Sequence, residues 1–375
     1  MTVVGVRSDA LHVLAARLVA AADALREQAS LLASGLGRCR SPGVSGGTVV
    51  LGAWVRVEAD ALRLVGPAGL WGEALALDAL AVRVRLAARA YEEVERAAAA
   101  VLGAVRSGAD GATRAGLLTD DGAVPVLRPV TPTWDARPFT GPADLVALGR
   151  GLDGGRVRVV ELAEPGGGSA FVVVVPGTQE WSPRPGDNPF DLTGDVRAVL
   201  GDATVASAGV EAALTLAVVS AAAQGRAVDG AVLLVGHSQG GIHAAALAAD
   251  PAFRARHRVT HVVTTGAPVG VFAVPGTVRV LSVEHADDPV PTLDLTPNPA
   301  RPSWLTLRVG EGPGTDVRRH ALDGYVGTLA AAQGAPRGTV PGLGAWEASA
   351  AAFLHRPVRS VTEVVIERGW QNPRP

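Results

Sequence analysis

The sequence predicts an α/β protein with a mostly parallel sheet, preceded by an all-α helical domain. Three observations carry this prediction. The C-terminal two thirds alternates Val-rich stretches with Ala-rich stretches of helical composition, a pattern typical of layered α/β folds. One apolar stretch, Ala231–Val235, is followed at once by a glycine-rich turn and then by a helix-forming segment. The first 110 residues instead carry helical periodicity.

The helical periodicity defines three segments. Apolar side chains in residues 7–34 recur in alternating three- and four-residue steps, as on one stripe of a long helix. The same spacing returns between Leu70 and Val105, and a shorter helix is predicted over Trp54–Val65. Glycine and proline separate these segments. We therefore predict an antiparallel helical hairpin or small bundle over residues 1–110.

The rest of the chain divides into a linker and a second domain. Residues 111–142 are rich in Gly, Pro, Asp and Thr and are predicted to form a linker, and an α/β domain is predicted over residues 143–375. The predicted strands of that domain are Val157–Leu162, Ala170–Val175, Ala231–Val235, Val259–Thr264 and Thr277–Val283, with a last edge strand over Val358–Ile366. Helices are predicted over Val210–Ala223 and Ala345–Leu354.

Composition excludes several classes of function. A formal net charge of −2 over 375 residues gives no charge excess to attract nucleic acid or an anionic membrane. Every basic side chain is arginine, which excludes lysine-dependent phosphate loops and Schiff-base chemistry. The single cysteine, Cys39, excludes an internal disulfide and a thiolate metal site. We expect no cofactor, no metal and no transmembrane segment, because the apolar runs are shorter than the ~20 residues that a span requires.

The turn after the predicted central strand contains a candidate nucleophile, Ser238. Gly236 and Gly240 surround it in a Gly-x-Ser-x-Gly pattern. Between a strand and a helix, this pattern places the serine in a strained turn that projects its hydroxyl above the sheet. The backbone N–H of Gln239 would then face the space where an oxyanion forms, at the positive end of the next helix.

A second loop, Pro176–Trp181, follows the Val-rich strand Ala170–Val175. In folds with such a nucleophile turn, the loop at this place supplies the other oxyanion N–H, and either Thr178 or Gln179 occupies the position. Two preorganised donors stabilise a tetrahedral intermediate by ~3 kcal/mol or more apiece. The sequence therefore predicts a complete oxyanion hole.

An acid-rich loop and two later histidines complete the candidate site. Asp288, or alternatively Asp287, follows the strand Thr277–Val283 and precedes a histidine, which matches the chain order Ser–Asp–His. His320 lies in a loop-to-helix context and is favoured as the base over His355, which lies nearer the C-terminus.

These residue types predict hydrolysis of an ester through an acyl-enzyme. His320 accepts the Ser238 proton during attack on a carbonyl carbon, and Asp288 fixes the imidazole and stabilises its charged form. The alternative function is a non-catalytic scaffold whose helical domain serves secretion or protein interaction.

Taken together, the loops resemble those of a known family. The motifs are Pro176-Gly177-Thr178-Gln179-x-Trp181, Gly236-His237-Ser238-Gln239-Gly240-Gly241, Thr265-Gly266-Ala267-Pro268-Val269-Gly270, Asp288-Pro289-Val290-Pro291 and a later His-x-x-x-x-Tyr. They are similar to actinobacterial α/β-hydrolases and to class 3 lipases. The resemblance implies an α/β-hydrolase fold, a triad of Ser238, Asp288 and His320, oxyanion residues Thr178 and Gln239, and carboxylic ester substrates, often lipids.

The resemblance does not extend to the amphipathic lid of class 3 lipases. Ser182–Val196 is rich in Pro and Gly and is a poor helix, so that a covering loop is expected there. Lipid esters and small acyl esters therefore both remain possible substrates.

The N-terminal helices resemble the helical substrates of actinobacterial type VII secretion. Those proteins carry a Tyr-x-x-x-Asp/Glu signal, and Tyr91 and Glu95 have this spacing. The resemblance implies a helical partner protein that binds residues 1–110, and export without a cleaved signal peptide. A cytoplasmic location is the alternative, and Tyr91 is equally explained as an aromatic residue of a helix–helix seam.

Overall fold

A computed structural model describes residues 8–39, 48–132, 137–310, 317–336 and 338–370. The chain divides into two compact units, Val6–Ala97 and a second that contains Ala98–Pro375. The N-terminal region is helical, and the second unit combines helices with an eight-stranded, mostly parallel mixed sheet. The coarse prediction of an α/β fold with an N-terminal helical region is therefore confirmed.

The helical unit contains α1 (Ser8–Cys39), α2 (Thr48–Val65) and the first part of α3 (Leu70–Arg114), close to the predicted helices. Fully buried alanines recur every seventh residue on two of these helices: Ala15, Ala22 and Ala29 on α1, and Ala74, Ala81 and Ala88 on α3. An ion pair between Arg26 and Asp78 joins α1 to α3. Small side chains at this spacing let two helices approach closely along a seam.

The second unit is built on one sheet. Its strands are β1 (Ala123–Val130), β2 (Arg156–Ala163), β3 (Ser169–Val175), β4 (Val232–His237), β5 (Val259–Thr265), β6 (Arg279–His285), β7 (Trp304–Val309) and β8 (Val358–Trp370). The strand order is β1-β8-β2-β3-β4-β5-β6-β7. Strands β3 to β7 are parallel, whereas β1, β8, β2 and β3 pair antiparallel. The carboxyl ends of β3, β4 and β6 consequently lie at the same edge of the sheet.

Helices cover both faces of this sheet. They are α4 (Pro142–Ala147), α5 (Leu192–Val199), α6 (Val205–Ala223), α7 (Gln239–Ala249), α8 (Pro251–Arg256), α9 (Leu322–Gly334) and α10 (Leu343–Ser349). Val173 and Leu234 pack into a core with α6 and α7, while Val172 and Leu233 pack into a second core with α4, α9 and α10. Because the central strands are buried on both faces, their sequences are continuous apolar runs.

Three strands differ from the sequence prediction. Residues 111–142, predicted as a linker, contribute the edge strand β1, which tolerates Pro125 and Pro129 because an edge strand does not need every N–H. Strand β8, predicted as an edge strand over Val358–Ile366, lies between β1 and β2. Strand β7 forms the opposite edge and was not predicted. Strand neighbours depend on long-range pairing, which local composition does not encode.

Two helical stretches are long and apolar enough to pass a composition test for membrane spans, Val57–Leu86 and Val205–Ala223. A turn at residues 66–69 interrupts the first stretch. The second stretch is α6, whose Val210 and Leu214 are buried in the core. Core helices of other proteins pass the same test, so this result is weak evidence for a membrane location.

The alanine seam predicts sensitivity to larger side chains. Replacing Ala22 with leucine adds atoms to a fully buried position, so we expect Ala22→Leu to reduce the free energy of unfolding by about 1–3 kcal/mol. Urea unfolding of the full chain, followed by circular dichroism at a helical wavelength, measures this loss. Ala24→Leu, at an exposed position of the same helix, is the matched control and should change stability by less than about 0.5 kcal/mol. Equal losses in the two variants would argue against a close-packed seam.

Candidate active site

Ser238 lies in a tight turn between β4 and α7. Its backbone has φ 55° and ψ −127°, a conformation that residues other than glycine rarely adopt. Neither flanking glycine has room for a side chain. A Cβ on Gly236 would lie 2.0 Å from the Gly240 carbonyl oxygen, and one on Gly240 would lie 2.1 Å from the Val175 carbonyl oxygen. The packing of strand against helix therefore requires the Gly-x-Ser-x-Gly pattern.

His320 links this serine to a carboxylate. Its Nε2 lies 2.8 Å from Ser238 Oγ, and its Nδ1 lies 2.7 Å from Asp288 Oδ2. A carboxylate at this distance holds the proton on Nδ1, which leaves Nε2 as the acceptor for the serine hydroxyl. The structure thus brings together the three side chains that the sequence placed in a triad.

The alternative acid and base have other partners. Asp287 Oδ2 forms an ion pair with the exposed Arg319 guanidinium, with an Nε–Oδ2 distance of 2.7 Å. His355 is exposed and donates its backbone N–H to the Phe139 carbonyl oxygen. The geometry therefore favours the residues predicted first.

Tyr325 also contacts Asp288, a role that the sequence analysis did not assign. Its hydroxyl donates to Asp288 Oδ2 at 2.6 Å, and the Val290 N–H donates to Oδ1 at 2.9 Å. Burial alone would raise the pKa of Asp288, but the hydrogen bonds from His320 and Tyr325 hold this pKa below its ordinary value. The carboxylate is consequently ionised beside the imidazole. The available sequence signal for Tyr325 was the His-x-x-x-x-Tyr spacing.

His285 supports Tyr325 from the strand β6. The two rings are stacked, with centroids 3.9 Å apart and an interplanar angle of 3°. His285 Nδ1 lies 3.0 Å from the Arg319 carbonyl oxygen, and Nε2 lies 2.8 Å from Thr328 Oγ1. Both ring nitrogens are engaged within the fold, so His285 acts as a packing partner of the tyrosine.

His237, the residue before the candidate nucleophile, lies beside the candidate base. Its ring centroid is 4.8 Å from that of His320, and its Nδ1 is 3.1 Å from the Thr265 carbonyl oxygen. Burial and, to a smaller extent, the neighbouring His320 lower the pKa of His237 to about 4. His237 therefore stays neutral near pH 7 and does not oppose protonation of His320.

Two backbone N–H groups next to Ser238 are available to an oxyanion. Within the described part of the chain, the N–H groups of Thr178 and Gln239 have no hydrogen-bond acceptor. Gln239 is the first residue of α7, so its N–H lies at the positive end of that helix. Gly177 permits the close approach of the other loop, since a Cβ there would lie only 3.2 Å from Ser238 Cβ.

Gln179, predicted as an alternative oxyanion residue, is engaged elsewhere. Its backbone N–H donates to the Phe190 carbonyl oxygen at 2.8 Å. Its side-chain oxygen accepts from Asn188 Nδ2 and from the Gly155 N–H, both at 2.8 Å. The Gln179 prediction is therefore wrong, because this residue fastens the loop to its surroundings instead of leaving a donor free.

Asp195 on α5 lies directly behind the loop Pro176–Trp181, called the oxyanion loop below, and no sequence pattern indicates it. Its Oδ2 accepts a hydrogen bond from Thr178 Oγ1 at 2.8 Å. Burial raises the pKa of Asp195 to about 7, with a smaller contribution from the negative charge of Asp191. The carboxyl is therefore neutral below about pH 7 and negatively charged above it.

A cavity of about 200 Å³ opens beside the oxyanion loop. Gly177, Thr178 and His237 form one wall, and the side chains of Val146 and Leu322 contribute apolar surface. Because Thr178 borders the cavity, a group whose carbonyl oxygen accepts from the Thr178 N–H would have this space next to it.

A second serine–histidine contact has a structural role. Ser207 Oγ lies 2.9 Å from His243 Nδ1, at the contact between α6 and α7. His243 is fully buried, and burial lowers its pKa to about 3. The imidazole of this pair is buried away from solvent, in contrast to His320, whose side chain is 22% exposed.

Comparisons with known proteins give no family assignment. No protein-family model, no curated protein and no solved structure matches the chain.

The raised pKa of Asp195 predicts a pH-dependent stability. Its folded-state pKa of about 7 lies above the ordinary 3.8, so its contribution to stability is fully present below pH 3.8 and is lost as the pH rises through 7. Asparagine keeps a partner for Thr178 but does not ionise. Relative to the natural chain, we expect Asp195→Asn to be more stable by about 1–2 kcal/mol at pH 8 and little changed at pH 4.

Urea unfolding at the two pH values measures this difference. Asp229→Asn, the same substitution at an exposed position, is the control and should show no such pH dependence. A gain in the free energy of unfolding of Asp195→Asn that is equal at both pH values, or a loss at pH 8, would contradict the raised pKa of Asp195.

Proposed function

We propose that this chain is a serine hydrolase that cleaves carboxylic esters through an acyl-enzyme. The observation that carries the proposal is the pair of hydrogen bonds made by His320, at 2.8 Å to Ser238 Oγ and at 2.7 Å to Asp288 Oδ2. The two free N–H groups of Thr178 and Gln239 support it. An α/β-hydrolase fold is part of the proposal and rests on the loop motifs and their order.

The acylation step follows from these positions. Ser238 Oγ attacks the ester carbonyl carbon, its proton passes to His320 Nε2, and Asp288 stabilises the resulting imidazolium. The carbonyl oxygen becomes an oxyanion that accepts hydrogen bonds from Thr178 and Gln239. Collapse of this intermediate breaks the bond to the alcohol oxygen, which takes the proton from His320. The acyl group then remains on Ser238.

Deacylation repeats these steps with water. His320 removes a proton from water, whose oxygen attacks the acyl carbon, and the second tetrahedral intermediate uses the same two N–H groups. Its collapse returns the proton to Ser238 Oγ and releases the carboxylic acid. Neutral His237 beside the base keeps a second positive charge out of both intermediates.

The cavity favours a short acyl group over a long lipid chain. An apolar cavity of about 150 Å³ is large enough for benzene, so about 200 Å³ accommodates roughly four to eight carbons. Residues 182–191, between the oxyanion loop and α5, contain no helix. The prediction of a poor helix over Ser182–Val196 is wrong from Leu192 onward, where α5 begins with Asp191 as its N-cap. We therefore infer that the substrate is a small acyl ester.

A second candidate function is protein interaction through the helical unit, with the sheet unit as a scaffold. The observation that favours it is a set of exposed large apolar side chains in this unit: Val13, Leu14, Leu31, Leu32, Val57, Leu62, Leu64, Trp71, Leu75, Leu80, Val82 and Leu86. Exposed apolar surface of this extent is typical of a binding surface. A helical partner protein is the proposed occupant.

Export by a type VII-like route belongs to this second candidate. Tyr91 and Glu95 lie within α3, as the resemblance requires, and their side chains lie outside what the structure describes. Export without a cleaved signal peptide and a cytoplasmic location both remain proposals.

A fluorophosphonate probe tests the proposed nucleophile. We expect the natural chain to be labelled on Ser238, and expect Ser238→Ala and His320→Ala to lose labelling, because the first lacks the attacking oxygen and the second lacks its base. His355→Ala is the matched control and should label at the natural rate. In-gel fluorescence and mass spectrometry of the labelled peptide give the readout.

Two outcomes would count against the proposal. Undiminished labelling of Ser238→Ala would assign the reactivity to another residue. No labelling of a folded natural chain would leave the protein-interaction function as the better account.

A series of 4-nitrophenyl esters tests the size of the acyl group. With acyl chains of two to sixteen carbons, we expect kcat/KM to be highest between about four and eight carbons. Leu322→Ala enlarges the cavity and should move the maximum by about two carbons toward longer chains. Val326→Ala, on the same helix but outside the cavity wall, should leave the maximum in place. A kcat/KM that rises steadily up to the sixteen-carbon ester would contradict the proposal that the substrate carries a short acyl group.

A further inference from the structure

Arg368, near the end of β8, has a fully buried side chain that is surrounded by acceptors. It forms a bidentate ion pair with Asp191, with distances of 2.8 Å and 2.9 Å, and its Nε lies 2.5 Å from Asp120 Oδ1. Its Nη1 also donates to the carbonyl oxygens of Asn188 and Gly186, at 2.9 Å and 3.2 Å. The guanidinium therefore fixes the loop that ends at Asp191.

Asp191 connects this arginine to the first oxyanion donor. Its carbonyl oxygen accepts a hydrogen bond from Gln239 Nε2 at 2.9 Å. Gln239 is fully buried, and its backbone N–H is one of the two free donors next to Ser238. The position of Asp191 thus constrains the residue that carries this donor.

Asp191 also connects the arginine to the second oxyanion donor. Its Oδ1 accepts from the Gly194 N–H at 2.9 Å and caps α5, the helix that presents Asp195 to Thr178 Oγ1. The same loop accepts the Gln179 N–H at Phe190, directly after Thr178. Both donors are therefore held by a loop that Arg368 fixes in place.

We propose that Arg368 is a positioning residue of the oxyanion hole and acts through Asp191 on both N–H donors. The inference rests on the proposed hydrolase function. Arg368 also balances charge, because it pairs with the carboxylates of Asp191 and Asp120, and Asp191 belongs to the loop that holds both donors. Without the guanidinium, the negative charge of these carboxylates would oppose the developing oxyanion.

Lysine cannot reproduce this arrangement. The guanidinium offers five N–H groups in a planar fork, and here they contact two carboxylates and two carbonyl oxygens. An ammonium group keeps the positive charge but loses the bidentate geometry. The Arg368→Lys variant consequently separates the effect of charge from the effect of position.

The test compares Arg368→Met and Arg368→Lys with the natural chain, using 4-nitrophenyl butyrate and active sites counted by fluorophosphonate titration. We expect Arg368→Met to lower kcat per active site about 10- to 100-fold, since loss or misplacement of an oxyanion donor has effects of this order. KM should change less than about threefold, because the donors act mainly on the transition state. Arg368→Lys should recover part of the lost kcat.

Arg158→Met is the matched control. Arg158 is also buried and also reaches a carboxylate on β8, at 2.7 Å from Glu363 Oε1. It donates as well to the Leu148 carbonyl oxygen, and both of these partners lie outside the loop that ends at Asp191. This variant should lose stability and keep its kcat per active site. A merely structural role of Arg368 would give the same pattern in Arg368→Met.

Each outcome decides the inference. An unchanged kcat per active site in Arg368→Met, or a loss no larger than in Arg158→Met, would overturn it. If Arg368→Met does not fold, the variants Arg368→Lys and Asp191→Asn test the inference instead. A kcat per active site that is at least threefold lower in both variants supports it, and a kcat equal to that of the natural chain overturns it. If the folded natural chain is not labelled by the fluorophosphonate, the proposed function itself is overturned. If the chain is labelled but its kcat does not change in Arg368→Met, only the proposed role of Arg368 is overturned.

Discussion

The strained turn at Ser238 is the constraint on which the rest of the site depends. A non-glycine residue at φ 55° costs of order 1–3 kcal/mol, and the surrounding structure holds it in place. The Ser238 N–H donates to the Thr265 carbonyl oxygen, and the Gly241 N–H donates to the Ser238 carbonyl oxygen, so both backbone groups of Ser238 are satisfied while the Gln239 N–H stays free. Parallel strands then bring Thr178 and Asp288 to the same sheet edge as Ser238, and there His320 lies within hydrogen-bond distance of Asp288 and Ser238.

The pKa values of two carboxyl groups around this turn are shifted in opposite directions. Asp288 has a lowered pKa next to the imidazole, where the proposed mechanism develops positive charge. Asp195 has a pKa of about 7 behind the oxyanion loop, where the proposed mechanism develops negative charge. Asp191, close to the same loop, is paired with Arg368. The same side-chain type thus takes different electrostatic roles because its burial and hydrogen-bond partners differ.

The sequence predicts residues whose chemistry appears in a local pattern. Ser238 is marked by its flanking glycines, and Asp288 and His320 are marked by chain order after a strand. Tyr325 is marked only by its spacing from His320, and Arg368 carries no mark, because the importance of Arg368 arises from contacts with residues distant in the chain. Likewise, the central strands are recognisable from apolar runs, whereas the inner position of β8 depends on pairing with β1 and β2. Gln179 is predicted as an oxyanion donor from its loop position alone. Its backbone N–H is not free, because it donates to the Phe190 carbonyl oxygen.

In the proposed mechanism, the oxyanion of the tetrahedral intermediate attached to Ser238 accepts hydrogen bonds from the N–H groups of Thr178 and Gln239. A crystal structure of the chain after reaction with a short alkyl fluorophosphonate measures this most directly, because the tetrahedral phosphorus mimics the intermediate. We expect a covalent bond from Ser238 Oγ to phosphorus, with one phosphonyl oxygen at hydrogen-bond distance, about 2.7–3.1 Å, from the backbone nitrogen atoms of Thr178 and Gln239. A phosphonyl oxygen that points away from both N–H groups, or an adduct on another residue, would contradict it.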